Sequence, residues 1–433
     1  MKTVIMAGGR GTRIASVASD IPKPMIPIAG IPVLEREIES LVSQGFNDII
    51  ITVSHLGKII MDYFGDGSGV SPVTGKSFHA HITYFYEKEP LGNAGALFRI
   101  KGQLSDEFLL LNADAVFDVN FHRFIEAHHK MGGLVTLFAH SNSHPYDSGL
   151  LITDEKGAVT QWLTKEDSRP QWYFNTVNAG LHVMNKKVLE QTVPTPKVDL
   201  DRQILKPLAG TGKMFVYNSP EYVEDMGTPE RYAKVQKSFQ KGIIHARNLA
   251  NKQKAIFLDR DGTINRYVGY LTDIDEFELL PGAAEAIRKI NLSGYLAIVV
   301  TNQPSVARGD LTMDQLQEIH KKMETLLGKE GAYVDHIYVC PHHPDKGFPG
   351  EVPELKISCE CRKPKPGMLL QAARDYNIDL ESSWMIGDDQ RDIQAGINAG
   401  CHTALIGEKS FGQEQTVQSL LEFVDDLPSL EVS

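Results

Sequence analysis

The chain has 433 residues, of which 42% are apolar and 23% charged, and a formal net charge of −11. Its length is about three typical domains, so more than one hydrophobic core is expected. No stretch approaches the ~20 apolar residues of a membrane-spanning helix, and the acidic balance disfavours nucleic acid or an anionic membrane as a partner. The opening Met1-Lys2-Thr3-Val4-Ile5-Met6 has too short an apolar run to read as a secretory signal. Four cysteines cannot staple a chain of this size, and three of them (Cys340, Cys359, Cys361) crowd into one window. That spacing points to metal binding in a reducing, cytoplasmic compartment.

The first half alternates β-branched runs with amphipathic segments, the pattern of an α/β domain on a mostly parallel sheet. Strands are predicted over residues 3–6, 48–53, 81–86, 108–111 and 134–139, with further ones over 180–184 and 214–217. Between the first two, Val33, Leu34, Ile38, Leu41 and Val42 share one helical face, and Gly45 suits the residue after a helix end. Thr228-Pro229-Glu230 reads as a helix start. The polar stretch that follows, over 236–253, is expected to run out into a solvated helical connector. From residue 254 the α/β alternation restarts. Strands are expected over 255–258, 296–300, 333–339 and 384–386, and helices over 282–292, 313–327, 368–376 and 391–399. The expected organisation is therefore 1–235, a linker over 236–253, and 254–433.

Ala7-Gly8-Gly9-Arg10-Gly11-Thr12-Arg13 follows the first strand directly. Such a loop can pack its backbone against phosphates and aim N–H groups at them, with Arg13 adding a fixed charge. It lacks both the P-loop ending and a dinucleotide fingerprint. Pro22-Lys23-Pro24-Met25-Ile26-Pro27 is a stiff segment presenting one lysine. Asn112-Ala113-Asp114 falls just past a strand, where ligands of such sheets bind. Glu224-Asp225-Met226-Gly227-Thr228-Pro229 places another carboxylate before a helix.

In this order the motifs resemble those of the sugar-1-phosphate nucleotidyltransferase family, over roughly residues 1–235. The resemblance implies a Rossmann-like catalytic fold that joins a nucleoside triphosphate to a sugar 1-phosphate and releases pyrophosphate. It would place Ala7, Gly8, Gly9, Gly11, Thr12, Arg13, Glu87 and Gly92 around the nucleotide. Asp114 and Asp225 would hold Mg²⁺ through hard oxygen ligands, Arg13 would meet the triphosphate, and Lys23 would neutralise charge between the joined phosphates. A carboxylate at Glu87 can accept from guanine N1–H and N2–H together, which leans the reading to GTP; a surface glutamate in a charged turn is the alternative. The family often carries Glu-Lys at the sugar pocket, upstream of Asn178-Ala179-Gly180; here Lys165-Glu166-Asp167 is the nearest match. Glu166 and Asn178 are the expected sugar contacts, with the sugar itself left open.

Asp259-Arg260-Asp261-Gly262-Thr263 follows the strand over 255–258. Two carboxylates two residues apart suit a nucleophile and a general acid converging on one phosphate. Thr301-Asn302-Gln303, Arg362-Lys363-Pro364 and Gly387-Asp388-Asp389 with Asp392 follow in chain order. These four motifs resemble those of the haloacid dehalogenase superfamily. Residues 265–277 and Ala307-Arg308-Gly309 are similar to the D-glycero-D-manno-heptose 1,7-bisphosphate phosphatases within it. By that resemblance Asp259 is the nucleophile, Asp261 the acid and then base, and Thr301 and Lys363 stabilise the transferring phosphoryl group. Asn302 and Arg362 would contact substrate, and Mg²⁺ would sit between Asp259, the Asp261 carbonyl and Asp388.

Cys340-Pro341-His342-His343 with Cys359-Glu360-Cys361 supplies three thiolates and an imidazole, the complement of a closed structural zinc site. His342 is the chosen ligand on spacing, with His343 as the alternate. The expected fold class is α/β: two Rossmann-like three-layer domains, a nucleotidyltransferase fold followed by a haloacid dehalogenase fold with a zinc loop. The expected activity is bifunctional, with GTP and a phosphorylated heptose as partners and GDP-heptose as product. Rival readings are a mannose-1-phosphate guanylyltransferase fused to a histidinol-phosphate type of phosphatase, or a chain in which one domain is silent and regulatory.

Overall fold

The computed structural model describes residues 1–9 and 20–427. It divides into two compact units: Met1–His140, Gly149–Thr164 and Val177–Asn248 form the first, and Ser141–Ser148, Lys165–Thr176 and Leu249–Ser433 the second. The last passage from one to the other falls after Asn248, inside the stretch expected to be a solvated connector. Residues 236–240 and Ile243–Ala246 of it are helical, and it is partly buried rather than solvated, with Ile243, Ile244, Arg247 and Asn248 all withdrawn from solvent. Among the described residues, no helix is long and apolar enough to cross a membrane.

In the first unit the order is β1 (Lys2–Met6), β2 (Pro27–Ile28), β3 (Ile31–Pro32), α1 (Val33–Ser43), β4 (Asp48–Val53), α2 (Gly57–Phe64), β5 (His81–Tyr86), α3 (Gly95–Ile100), β6 (Glu107–Asn112) and β7 (Ala115–Asp118). It continues with α4 (Phe121–Met131), β8 (Val135–His140), β9 (Leu150–Thr153), β10 (Val159–Leu163), β11 (Val177–Asn185), β12 (Met214–Asn218), β13 (Tyr222–Asp225), α5 (Pro229–Gln240) and α6 (Ile243–Ala246). The main sheet runs β10-β9-β11-β6-β1-β4-β5, with β8 pairing β11 and β12. It is mixed rather than mostly parallel, because β11 runs antiparallel to β6, β8 and β9.

Side-chain alternation gives this sheet two buried faces. Val4, Ile50 and Leu110 point to one core, and their neighbours Ile5, Ile51 and Leu111 to the other. Strands apolar on both faces need helices on both sides, which fixes the three-layer arrangement. Thr228 caps α5 by accepting the Arg231 N–H, with Pro229 in the first turn, as the sequence predicts.

The second unit contains β14 (Lys254–Leu258), α7 (Ala283–Asn291), β15 (Tyr295–Asn302), α8 (Pro304–Arg308), α9 (Met313–Lys329), β16 (His336–Cys340), α10 (Gly367–Tyr376), β17 (Trp384–Gly387), α11 (Gln390–Ala399), β18 (His402–Ile406), β19 (Gln415–Val417) and α12 (Leu420–Asp426). Its six-stranded sheet, β16-β15-β14-β17-β18-β19, is parallel throughout. Ile256 and Val299 face one core, Phe257 and Ile298 the other.

Residues 165–176 belong to this unit because they dock on α9. The Tyr173 N–H donates to Thr325 Oγ1 at 2.9 Å, and the Asn175 N–H to Glu324 Oε2 at 2.6 Å. Burial pushes the Glu324 carboxyl up to about 7, against a backbone donor that pulls it down. Because the folded value lies above the unfolded one, this contribution to stability is lost as pH rises through 7. Glu324→Gln removes the ionisation. Its stability relative to wild type should improve by about 1 kcal/mol between pH 6 and pH 8. Chemical denaturation at the two pH values measures this, and a difference independent of pH would contradict it.

Candidate active sites

In the first unit, four parallel strands end at one edge. Register pairs Met6 with Asn112 and Val53 with Tyr86, so the loop at 7–9, Asp114, Ser54 and Glu87 emerge together. They surround a cavity of about 730 Å³ lined by Gly8, Gly9, Lys23, Glu87, Gly92, Asp114 and Gly227 among others. Gly11, Thr12 and Arg13 lie outside the described residues.

Gly8 meets Glu87 closely: a β-carbon there would stand 3.3 Å from Glu87 Oε1. The other oxygen of Glu87 accepts the Leu91 N–H at 3.2 Å. Burial raises this carboxyl above its ordinary value, opposed by the Leu91 donor. Lys23 is buried and donates to Asp114 Oδ2 at 2.6 Å. Antiparallel pairing of β13 with β7 sets Asp225 opposite Ala115, and the Met226 N–H donates to the Asp114 carbonyl. Asp225 thus reaches the neighbourhood of Asp114, where it accepts from the Gly227 N–H and the Arg231 guanidinium. Two carboxylates brought together by β pairing, each balanced by a cation, are donors of the kind Mg²⁺ takes.

Asn178 Oδ1 accepts from the Gly180 N–H and lies 3.3 Å from His182 Nε2. Glu166 belongs to the second compact unit. Neither is among the lining residues of the cavity.

In the second unit, β14 and β17 pair Leu258 with Ile386, so Asp259 and Asp388 leave the sheet side by side. Gly262, at φ +85°, lies so close to Asp388 that a β-carbon would come 2.1 Å from Oδ2. Only glycine serves there. Asp259, Asp388 and Asp392 place carboxylate oxygens within 4.8 Å of one another. Lys363 Nζ bridges this acid group, 2.7 Å from Asp259 Oδ1 and 2.6 Å from Asp392 Oδ1.

Burial opposes the charge of Lys363, yet Asp259 and Asp392 hold it above its ordinary value. Burial likewise pushes Asp259 up while Lys363 pulls it back. Burial, then the charge on Asp259, lifts Asp388 to about 6. A divalent cation would relieve this crowding, and the donor set fits Mg²⁺.

Asp261 behaves differently. Although burial works against its charge, Arg260, Asn265 and Gln303 hold it below the usual carboxylate range. Thr301 is buried and accepts from Gln303 Nε2 at 2.9 Å. Asn302, expected at the substrate, exchanges two hydrogen bonds of 3.0 Å with the Lys363 backbone and so holds that lysine in place. Arg362 donates to the His342 carbonyl at 3.2 Å. The sequence reading missed three contacts here: Asp392 on Lys363, Gln303 on Asp261, and Arg260 on Asp261.

Cys340, His342, Cys359 and Cys361 converge, with their ligand atoms within 4.8 Å of one another. Sulfur–sulfur separations are 3.3 to 3.6 Å, and His342 Nδ1 lies 3.3 and 3.7 Å from two sulfurs. A tetrahedral zinc site at ordinary bond lengths has edges of about 3.5–3.8 Å. His343 is not part of this group; its Nδ1 accepts the Asp345 N–H.

Residues 2–242 match the nucleotidyl transferase family model, and residues 360–429 a HAD-hydrolase-like model. The D-glycero-beta-D-manno-heptose-1,7-bisphosphate 7-phosphatase of Pasteurella multocida is 42% identical over 183 residues, covering 41% of this chain and 96% of the relative. The enzyme of the same name from Yersinia pestis is 45% identical over 152 residues, covering 35% and 79%. Among solved structures, HddC from Yersinia pseudotuberculosis is 28% identical with a TM-score of 0.46, covering 55% of this chain and 99% of its own. The chain thus belongs to the nucleotidyl transferase family through residues 2–242, and its second unit to the HAD family of heptose-1,7-bisphosphate 7-phosphatases.

Proposed function

We propose that the chain carries out two consecutive steps of nucleotide-sugar synthesis. The second unit removes the 7-phosphate of a D-glycero-D-manno-heptose 1,7-bisphosphate. The first couples the resulting heptose 1-phosphate to GTP, giving GDP-heptose and pyrophosphate. The observation that carries the first step is the buried Asp259–Lys363–Asp392 array beside Asp261, joined to the substrate named for relatives more than 40% identical. For the second step, support comes from Lys23 and Asp114 in the cavity beside Glu87, whose carboxylate suits the two donors of a guanine edge.

The phosphatase chemistry runs through this chain's own side chains. Asp259 attacks phosphorus, and the bond from phosphorus to the 7-oxygen breaks, leaving an aspartyl-phosphate. Asp261, once protonated, gives its proton to the departing sugar oxygen. It then takes a proton from the water that cleaves the aspartyl-phosphate. Lys363 holds Asp259 in line, and Thr301 lies beside the path of the phosphoryl group. Mg²⁺ held by Asp259 and Asp388 supplies charge neutralisation when bound.

In the first unit Lys23 and Asp114 both line the cavity, where Lys23 would meet the phosphates of both substrates. Repulsion between two anions is the main barrier there, so positioned cations are the principal catalytic device. Asp114 and Asp225 would hold Mg²⁺, which would add to that neutralisation.

Each half should fail separately. Asp259→Asn should lower phosphate release from the bisphosphate by at least about a thousandfold while sparing pyrophosphate release from heptose 1-phosphate and GTP. Asp114→Asn should do the reverse. Loss of both activities from either substitution would contradict the assignment of one reaction to each unit. Zinc is proposed at Cys340, His342, Cys359 and Cys361. Elemental analysis should find one zinc per chain, and Cys359→Ser should remove it and lower the melting temperature of the phosphatase unit. Full zinc content in Cys359→Ser would contradict that ligand set.

A further inference from the structure

The side chain of Arg260 is completely buried. Its Nη2 donates to Asp261 Oδ1 and Oδ2 at 2.9 and 2.8 Å, and its Nε lies 3.2 Å from Oδ1. A guanidinium is planar and can only donate, so its orientation is fixed by the acceptors along its edges. Asp261 takes one edge. At the other, Nη1 stands 3.0 Å from His320 Nε2.

His320 comes from the inner face of α9, sixty positions along the chain, and is only 4% exposed. Because arginine has no acceptor, Nε2 must carry the lone pair, which assigns the ring proton to Nδ1. Burial, and next the Arg260 charge, push His320 down to about 3 and keep the imidazole neutral. Asn265 Nδ2 and Gln303 Nε2 complete the surroundings of Asp261 at 3.0 and 2.8 Å. These two side chains come from the flanking loops, whereas Arg260 is anchored on a long helix.

We infer that His320 is a positioning residue of the phosphatase: it fixes the plane of Arg260, which in turn holds the Asp261 carboxyl in the place from which a proton is passed. This rests on the reading of Asp261 as acid and then base. In the first half-reaction the phosphorus–oxygen bond breaks, and the proton on Asp261 moves to the departing 7-oxygen. An alkoxide cannot leave without that proton. A p-nitrophenolate can, since it is a stable anion. Misplacing Asp261 therefore harms the sugar phosphate selectively, whereas general loosening of the fold harms both substrates alike.

The test uses the full chain with Mg²⁺ and compares kcat/KM for the heptose bisphosphate with kcat/KM for p-nitrophenyl phosphate. Both constants report steps up to the first phosphoryl transfer. In His320→Leu the ratio of the two should fall at least tenfold. In His320→Gln, whose amide oxygen can still accept from Arg260, it should return to within about threefold of wild type. An equal loss on both substrates, or a glutamine variant no better than leucine, overturns the role of His320. Asp261→Asn is the companion arm. If it leaves the ratio unchanged, the acid–base reading of Asp261 falls, and this role falls with it. Should His320→Leu lack a native circular dichroism spectrum, Arg260→Lys replaces it. That variant keeps the charge but loses the second edge, and the same tenfold fall is expected; an unchanged ratio overturns the proposal.

Discussion

Both sites depend on a buried cation held against carboxylates at the carboxyl ends of parallel strands. In the second unit Lys363 sits between Asp259 and Asp392, and Arg260 lies flat against Asp261. In the first, Lys23 is fixed on Asp114 and Arg231 on Asp225. Burial pushes the Asp259 and Asp392 carboxyls up, and the Lys363 charge between them pulls both back. Removing one member of the buried Lys363–Asp392 pair should cost about 3–5 kcal/mol, because the other is left charged and alone. The same arrangement prepares the site for phosphate, since a phosphoryl group entering next to Lys363 meets a positive charge already in place.

The architecture follows from this requirement. Parallel strands deliver their carboxyl ends to one side, and register then decides which side chains meet. Leu258 opposite Ile386 sets Asp259 beside Asp388, and Met6 opposite Asn112 sets the glycine-rich loop near Asp114. Glycine at 262 allows the Asp388 carboxylate to close on the turn after β14. Asn302 then locks the Lys363 backbone to the end of β15, so the lysine is held by the sheet rather than by its own loop.

Much of this was legible in the sequence, because each motif directly follows a short apolar run. Asp114, Asp259 and Asp388 could be placed at strand ends from the alternation of apolar residues alone. The Cys/His cluster was legible from cysteine spacing, and the structure groups His342 rather than His343 with the thiols. What escaped depends on contacts between distant segments. His320 on a buried helix face has no local signature that separates it from any core histidine. The docking of residues 165–176 on α9 turns on two backbone donors meeting Glu324 and Thr325, which no periodicity encodes. Likewise Asn302 reads as a phosphate contact in its motif, and only the fold shows its amide spent on Lys363.

We propose that one chain carries heptose 1,7-bisphosphate through to a guanosine nucleotide sugar. Mass spectrometry of a single reaction holding the full chain, Mg²⁺, heptose 1,7-bisphosphate and either GTP or ATP tests it most directly. The account predicts GDP-heptose with GTP and little product with ATP, with the GTP product vanishing in Asp259→Asn unless heptose 1-phosphate is supplied. Release of phosphate with no nucleotide sugar from either triphosphate would contradict it.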